Sequence, residues 1–204
     1  MNKFGKKDLG FAIITGLITG LILWRILYFL RPDLFASPAW AVGFIIVIPI
    51  LWILGVLLGY FLGQWFPFFN QFGKFAAIGF TNAAVDFGIL NLLIAYTGHT
   101  SGRGYSIEKT ASFCVALISS YVWNKYWAFD SAESRGGGRE FGKFVMVTIA
   151  AFIVNVSVAS LVVNYMSPVL NFSPETWANV GAVIGSAVAL VVSFVGFKKA
   201  VFKN

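Results

Sequence analysis

Apolar runs long enough to cross a bilayer recur along the chain, parted by short polar or Pro- and Gly-rich turns. They predict six membrane-spanning helices: residues 9 to 30, 39 to 66, 72 to 96, 106 to 129, 141 to 166 and 176 to 202. The third run carries a carboxylate at its middle. At 100° per residue, Gly79, Asn82 and Asp86 fall on one helical stripe and Asn91 falls opposite. Asp86 lies twelve residues past Lys74, about 18 Å along a helix, which places it near the bilayer midplane. An ionisable side chain at that depth is costly and marks a functional site unless it only hydrogen-bonds between packed helices.

The other runs are punctuated in informative ways. The first follows a short basic tail, MNKFGKKD, and exceeds the length of a signal h-region without a clear cleavage site after it, so it reads as a signal-anchor helix. Its Gly16 and Gly20 form a GxxxG pair, and Arg25 is placed to snorkel to the far interface beside Arg31. The second run holds Pro49, where a kink is expected, and Gly55, Gly59 and Gly63 in a stripe that admits a close helix neighbour. That neighbour is either the Gly16 and Gly20 face or a second copy of the chain. The loop GHTSGRGYS contains the single histidine, His99, read as solvated, and the loop at 130 to 140 reads as a flexible linker.

An internal repeat organises the last four helices. FGKF occurs at 72 to 75 and again at 141 to 144, and this offset aligns Asp86 with Asn155. SYVWNKYWAF at 120 to 129 likewise aligns with SFVGFKKAVF at 193 to 202, matching Ser120 to Ser193 and Lys125 to Lys198. The fold expected is therefore an all-α integral membrane protein of six transmembrane helices, the last four a duplicated two-helix hairpin bundle. Residues 1 to 66 form an N-terminal hairpin and residues 72 to 204 a four-helix domain. The duplicated copies share one orientation, and their polar stripes are expected to face a shared centre.

Composition agrees. With 58% apolar residues, 22 Phe in 204 residues and a mean hydropathy of +0.80, no soluble core of this size hides the apolar surface. The net charge of +7 is confined to span ends, which points to topology and away from nucleic acid. With the N terminus inside, Lys3, Lys6, Lys7, Lys74, Lys125, Arg135, Arg139, Lys143, Lys198, Lys199 and Lys203 lie on the inner side, against Arg25, Arg31, Arg103 and Lys109 outside. Both termini are thus expected in the cytoplasm. Trp65, Trp123 and Trp127 form an expected inner aromatic belt, and Trp24, Trp40 and Trp177 an outer one. Cys114 has no partner for a disulfide. The sequence holds no paired carboxylates, no metal-ligand cluster and no nucleophile beside a base, so neither an enzyme nor a cofactor or metal is expected.

The spaced motifs FxKFxxxGxxNxxxD at 72 to 86, NKxWxF at 124 to 129 and KxxVF at 198 to 202 resemble those of the GtrA family, whose four-helix GtrA/DPMS transmembrane domain would cover roughly residues 70 to 204. The N-terminal hairpin lies outside that pattern, as a possible partner-docking addition. The resemblance implies movement of a polyprenyl-phosphate-linked sugar across the cytoplasmic membrane for cell-surface polysaccharide assembly, after a family 2 membrane glycosyltransferase makes it. On that reading Asn124, Lys125 and Lys198 hold the lipid phosphate at the inner end, with Lys109 at the outer end. Asn82, Asp86, Ser120, Asn155 and Ser193 line a polar path for the sugar. Inner-boundary lysines are also explained by topology alone. Two alternatives stand beside this reading: a non-catalytic subunit that anchors a glycosyltransferase, and a small proton-coupled multidrug carrier using Asp86.

Overall fold

The computed structural model describes residues 4–99, 102–133, 137–168 and 174–202. Ser101, Arg135 and the Trp177 side chain, which the sequence assigns to loops and to the outer belt, lie outside the described residues. The described chain is helical: α1 (Lys6–Leu30), the single turn α2 (Pro32–Phe35), α3 (Pro38–Leu62), α4 (Phe69–Thr97), α5 (Gly102–Trp123), α6 (Gly137–Tyr165) and α7 (Pro174–Gly196). Helix ends follow local chemistry. Ser37 caps α3 by accepting from the Ala39 amide at 3.4 Å, with Pro38 at the first helical position. Gly98, at φ 77°, closes α4 with its amide on the Ile94 carbonyl at 2.8 Å.

Among the described residues, five helices are long and apolar enough to cross a membrane: those at Lys6–Leu30, Pro38–Leu62, Phe69–Thr97, Gly137–Val162 and Val183–Val201. The expected fourth span, 106 to 129, whose place α5 takes, is the exception. Its first turns carry Arg103, Glu108, Lys109, Thr110 and Ser112, and its apolar part starts only beyond them. Both α5 and α7 run on into a π-helical turn, Asn124–Ala128 and Phe197–Val201. In each the amide of a phenylalanine reaches back five residues, Phe129 to the Asn124 carbonyl at 3.0 Å and Phe202 to the Phe197 carbonyl at 2.8 Å. The sequence repeat thus extends to an uncommon backbone form, one that often accompanies functional sites.

The chain forms two compact units, Met1–Asp130 and Ser131–Asn204. In the first, the N-terminal hairpin packs directly on the helices that follow it, because glycines let the backbones meet. A Cβ on Gly16 would come within 2.5 Å of Pro49 Cα, and one on Gly20 within 2.4 Å of the Phe44 carbonyl oxygen, so α1 lies against α3. The stripe on α3 does not receive α1. Gly59 instead faces α4, where a Cβ would meet the Phe69 carbonyl oxygen at 2.8 Å and Gly73 Cα at 3.2 Å.

A polar knot ties the three helices at mid-length. Thr81 Oγ1 donates to the Ala77 carbonyl at 2.9 Å and accepts from Trp52 Nε1 at 3.1 Å; Thr19 Oγ1 lies 3.0 Å away. Trp52, which the hydrophobic pattern leaves without a role, therefore bonds α3 to α4. Trp127, expected in the inner belt, is buried and stacked on Phe11 at 5.7 Å. In the second unit α6 packs on α7, with Phe144 stacked on Phe197 at 4.3 Å.

Candidate functional site

Asp86 is not a lone carboxylate. Lys109, on α5, places its Nζ 2.5 Å from Asp86 Oδ2, and Ser112, one turn on, donates to Asp86 Oδ1 at 2.7 Å. Lys109 was expected at the outer end of the protein as a phosphate ligand; the structure brings it to Asp86. The result is a neutral pair offering both acceptor and donor, with the two side chains 37% (Lys109) and 18% (Asp86) exposed. Asn82, one turn before Asp86, keeps a buried Oδ1 without a hydrogen-bond partner among the described residues. Ser120 is engaged further along α5: Asn124 Nδ2 donates to its carbonyl at 2.8 Å and to its Oγ at 3.3 Å. At the start of α5, Glu108 Oε1 accepts from Thr97 Oγ1 at 2.7 Å and meets His99 Nδ1 at 2.8 Å, so His99 is not merely solvated.

A second charged centre joins the hairpin to α4 and α5, and the sequence reading missed it. Asp8 is 6% exposed and accepts four bonds: Lys74 Nζ at 2.7 Å and Trp127 Nε1 at 3.2 Å on Oδ1, Tyr60 OH at 2.8 Å and the Gly5 amide at 3.2 Å on Oδ2. Residues from α1, α3, α4 and the first π-helical turn meet here. Trp127 lies on that π-helical turn and is buried against Phe11 of α1. The available signal was an acid, Asp8, closing a run of basic residues at a helix start, where its return bond to the Gly5 amide also caps α1. Lys74 was counted only as an inner topological charge.

The lysines at matching positions of the repeat differ. Lys125 is buried, with Nζ 3.5 Å from Tyr121 OH, whereas Lys198 is exposed with Nζ 5.9 Å from the Phe194 ring centre. Asn124 is buried, and its Oδ1 has no hydrogen-bond partner among the described residues. In the second unit Asn155 Nδ2 donates to Ser186 Oγ at 3.2 Å, across α6 and α7, and Ser193 Oγ donates to the Leu190 carbonyl at 3.0 Å. A family model for the GtrA/DPMS transmembrane domain matches residues 74–202. The chain belongs to this family.

A Bacillus subtilis (strain 168) relative, "Uncharacterized membrane protein YngA", is 35% identical over 79 residues, which is 39% of this chain and 49% of that protein. The match thus spans about half the length of that curated relative. No solved structure matches the chain. Within the GtrA/DPMS segment, both units join their helix pair through a polar residue fourteen positions past the FGKF phenylalanine, Asp86 to Ser112 and Asn155 to Ser186. Only the first copy carries charge there. The family segment begins at Lys74, so the hairpin supplies Asp8 and Tyr60 to the centre around the family's first matched residue.

Proposed function

We propose that this GtrA-family protein carries a polyprenyl-phosphate-linked sugar across the cytoplasmic membrane for cell-surface polysaccharide assembly, without catalysing a reaction itself. The Asp86–Lys109 pair is the observation that favours it. Sugar hydroxyls both donate and accept, and a carboxylate–ammonium pair supplies both functions without a net charge. A carrier for cationic drugs fits less well, because Lys109 is a resident counter-ion that every cargo cation would have to displace from Asp86. An anchoring subunit needs the close glycine packing but no mid-helix charge pair. The same path role is proposed for Ser120 in the first unit and for Asn155 and Ser193 in the second.

A lipid phosphate is proposed to meet Asn124 and Lys125 at the π-helical end of the first copy, or Lys198 at that of the second. Lys109, held by Asp86, belongs to the sugar path in this reading. The Lys125→Gln/Lys198→Gln double variant is expected to bind polyprenyl-phosphate-glucose at least tenfold more weakly than wild type, since one charge-assisted hydrogen bond contributes about 1.5–3 kcal/mol. Equal binding by both proteins would reduce these lysines to topological anchors. The proposed partner is a family 2 membrane glycosyltransferase that makes the substrate.

The charge asymmetry sets the proposed topology, with both termini and the loop after Asp130 cytoplasmic. In a variant lacking Cys114, Ser101→Cys is expected to react with an impermeant thiol reagent in intact cells, and Ala132→Cys only after lysis. The opposite pattern would invert the protein in the membrane.

A further inference from the structure

A groove of about 260 Å³ lies between α1 and α4, towards the ends of these helices at Leu30 and Thr97. Gly88 lets the two helices meet along it, since a Cβ there would come within 2.5 Å of Ile22 Cγ2. The walls are apolar except for two side chains, Arg25 and Asn91. Arg25 is exposed and sits inside a membrane-spanning helix, with residues 26 to 30, none of them charged, still to follow before α1 ends. That leaves it about 7.5 Å short of the helix end at 1.5 Å per residue. Arg31 already marks the helix end, where Asp33 holds its guanidinium at 3.0 and 2.8 Å. Arg25 has no such partner. Among the described residues its guanidinium meets only the Tyr28 ring, 5.2 Å from the centroid, and no hydrogen-bond acceptor. Every carboxylate of the first unit, Asp8, Asp33, Asp86, Glu108 and Asp130, is already held by another basic side chain. A guanidinium inside a span is costly without a counter-ion, so its anion has to come from outside this unit.

We infer that this groove binds one anionic phospholipid of the bilayer, with an acyl chain along the apolar walls and the phosphate on Arg25. The guanidinium presents paired N–H donors that match two phosphate oxygens, and one phosphodiester supplies the single negative charge that Arg25 lacks. Asn91 Nδ2 donates one proton to the Phe87 carbonyl at 2.8 Å, which leaves its second N–H and its Oδ1 for phosphate or glycerol oxygens. At about 30 Å³ per water the groove holds roughly nine waters, room for a stretch of one chain and not for a helix about 10 Å across. Arg25 comes from α1, outside the family segment, so residues 74–202 alone do not make the site. A lipid bound there bridges the N-terminal hairpin to the family domain. The site does not depend on what the protein carries, and so goes beyond the carrier reading.

The test uses the full chain in detergent micelles, with bound lipid counted by native mass spectrometry. Four probes are titrated: dioleoyl phosphatidylglycerol, dioleoyl phosphatidylcholine with the same chains, chain-free glycerol 3-phosphate, and polyprenyl-phosphate-glucose. Wild type is expected to bind phosphatidylglycerol about fivefold more tightly than phosphatidylcholine, the share of one basic residue at a membrane surface. Arg25→Gln should bind the two phospholipids equally, whereas Arg31→Gln should keep the wild-type preference. Ala95→Phe, which fills the groove and leaves the charge in place, should weaken both phospholipids. A wild type without the preference overturns the inference, as does an Arg25→Gln protein that keeps it or an Ala95→Phe protein that binds both lipids as wild type does. Displacement of phosphatidylglycerol by glycerol 3-phosphate would make this a site for free phosphate. Tighter binding of polyprenyl-phosphate-glucose, lost in both Arg25→Gln and Ala95→Phe, would make it a cargo site. Either result overturns the assignment to a bilayer phospholipid.

Discussion

Asp8→Ala should destabilise the protein by about 3–5 kcal/mol, the largest effect expected of any single substitution in the first unit. The change leaves the Lys74 ammonium, whose side chain is 14% exposed, without its counter-ion, and strips Tyr60 and Trp127 of the acceptor that both share. Breaking a buried pair costs more than the pair contributes, since the remaining charge keeps its desolvation penalty. Lys74→Met in the same chain should therefore recover a large part of the loss. Unfolding in detergent followed for wild type, each single variant and the double variant measures the coupling; independent, additive losses would show that Asp8 and Lys74 do not stabilise each other.

The second large effect is expected at Asp86. A lone mid-helix carboxylate would tolerate Asp86→Asn, the residue at the repeat-equivalent Asn155, because an amide of the same shape still hydrogen-bonds. Lys109 changes that expectation. Asparagine leaves an ammonium among apolar helices, and about 1–3 kcal/mol of stability should go with it, less than at Asp8 because Lys109 is more exposed. Asp86→Asn combined with Lys109→Met should come back close to wild type in stability while losing transport, since the hydrogen-bonding pair is then gone. The same unfolding series reads the first part. A single Asp86→Asn as stable as wild type would show that the pair carries no net energy.

Much of the architecture was legible along the chain because its signals are local. Apolar runs of bilayer length, the FGKF repeat and glycines every four residues need no knowledge of the third dimension, and they located the helices and the duplication. Contacts between helices were not legible, because they depend on register and rotation. Asp86 and Lys109 are 23 residues apart on successive helices, and nothing local states that their side chains meet at 2.5 Å. Asp8 and Trp127 lie 119 residues apart and meet at a π-helical turn, a backbone form that no local signal in the sequence states. The glycine stripe was recognised correctly as a packing face, but which helix it receives depends on the short turn at Gly63–Phe68, which folds α4 back onto α3. α5 shows the reverse case: its polar first turns weaken the hydrophobic signal, and those same polar residues supply Lys109 and Ser112 to Asp86.

The central claim is movement of a lipid-linked sugar, and its most direct measurement is translocation of polyprenyl-phosphate-glucose in proteoliposomes, read by the accessibility of the sugar to an enzyme added outside. Wild type should equilibrate the lipid between leaflets without an imposed pH gradient, and the Asp86→Asn/Lys109→Met variant, reconstituted at equal density, should do so at least tenfold more slowly. Transport of a cationic dye driven by a pH gradient, with no faster exchange of the sugar lipid than in protein-free liposomes, would contradict the account and assign Asp86 to proton-coupled efflux.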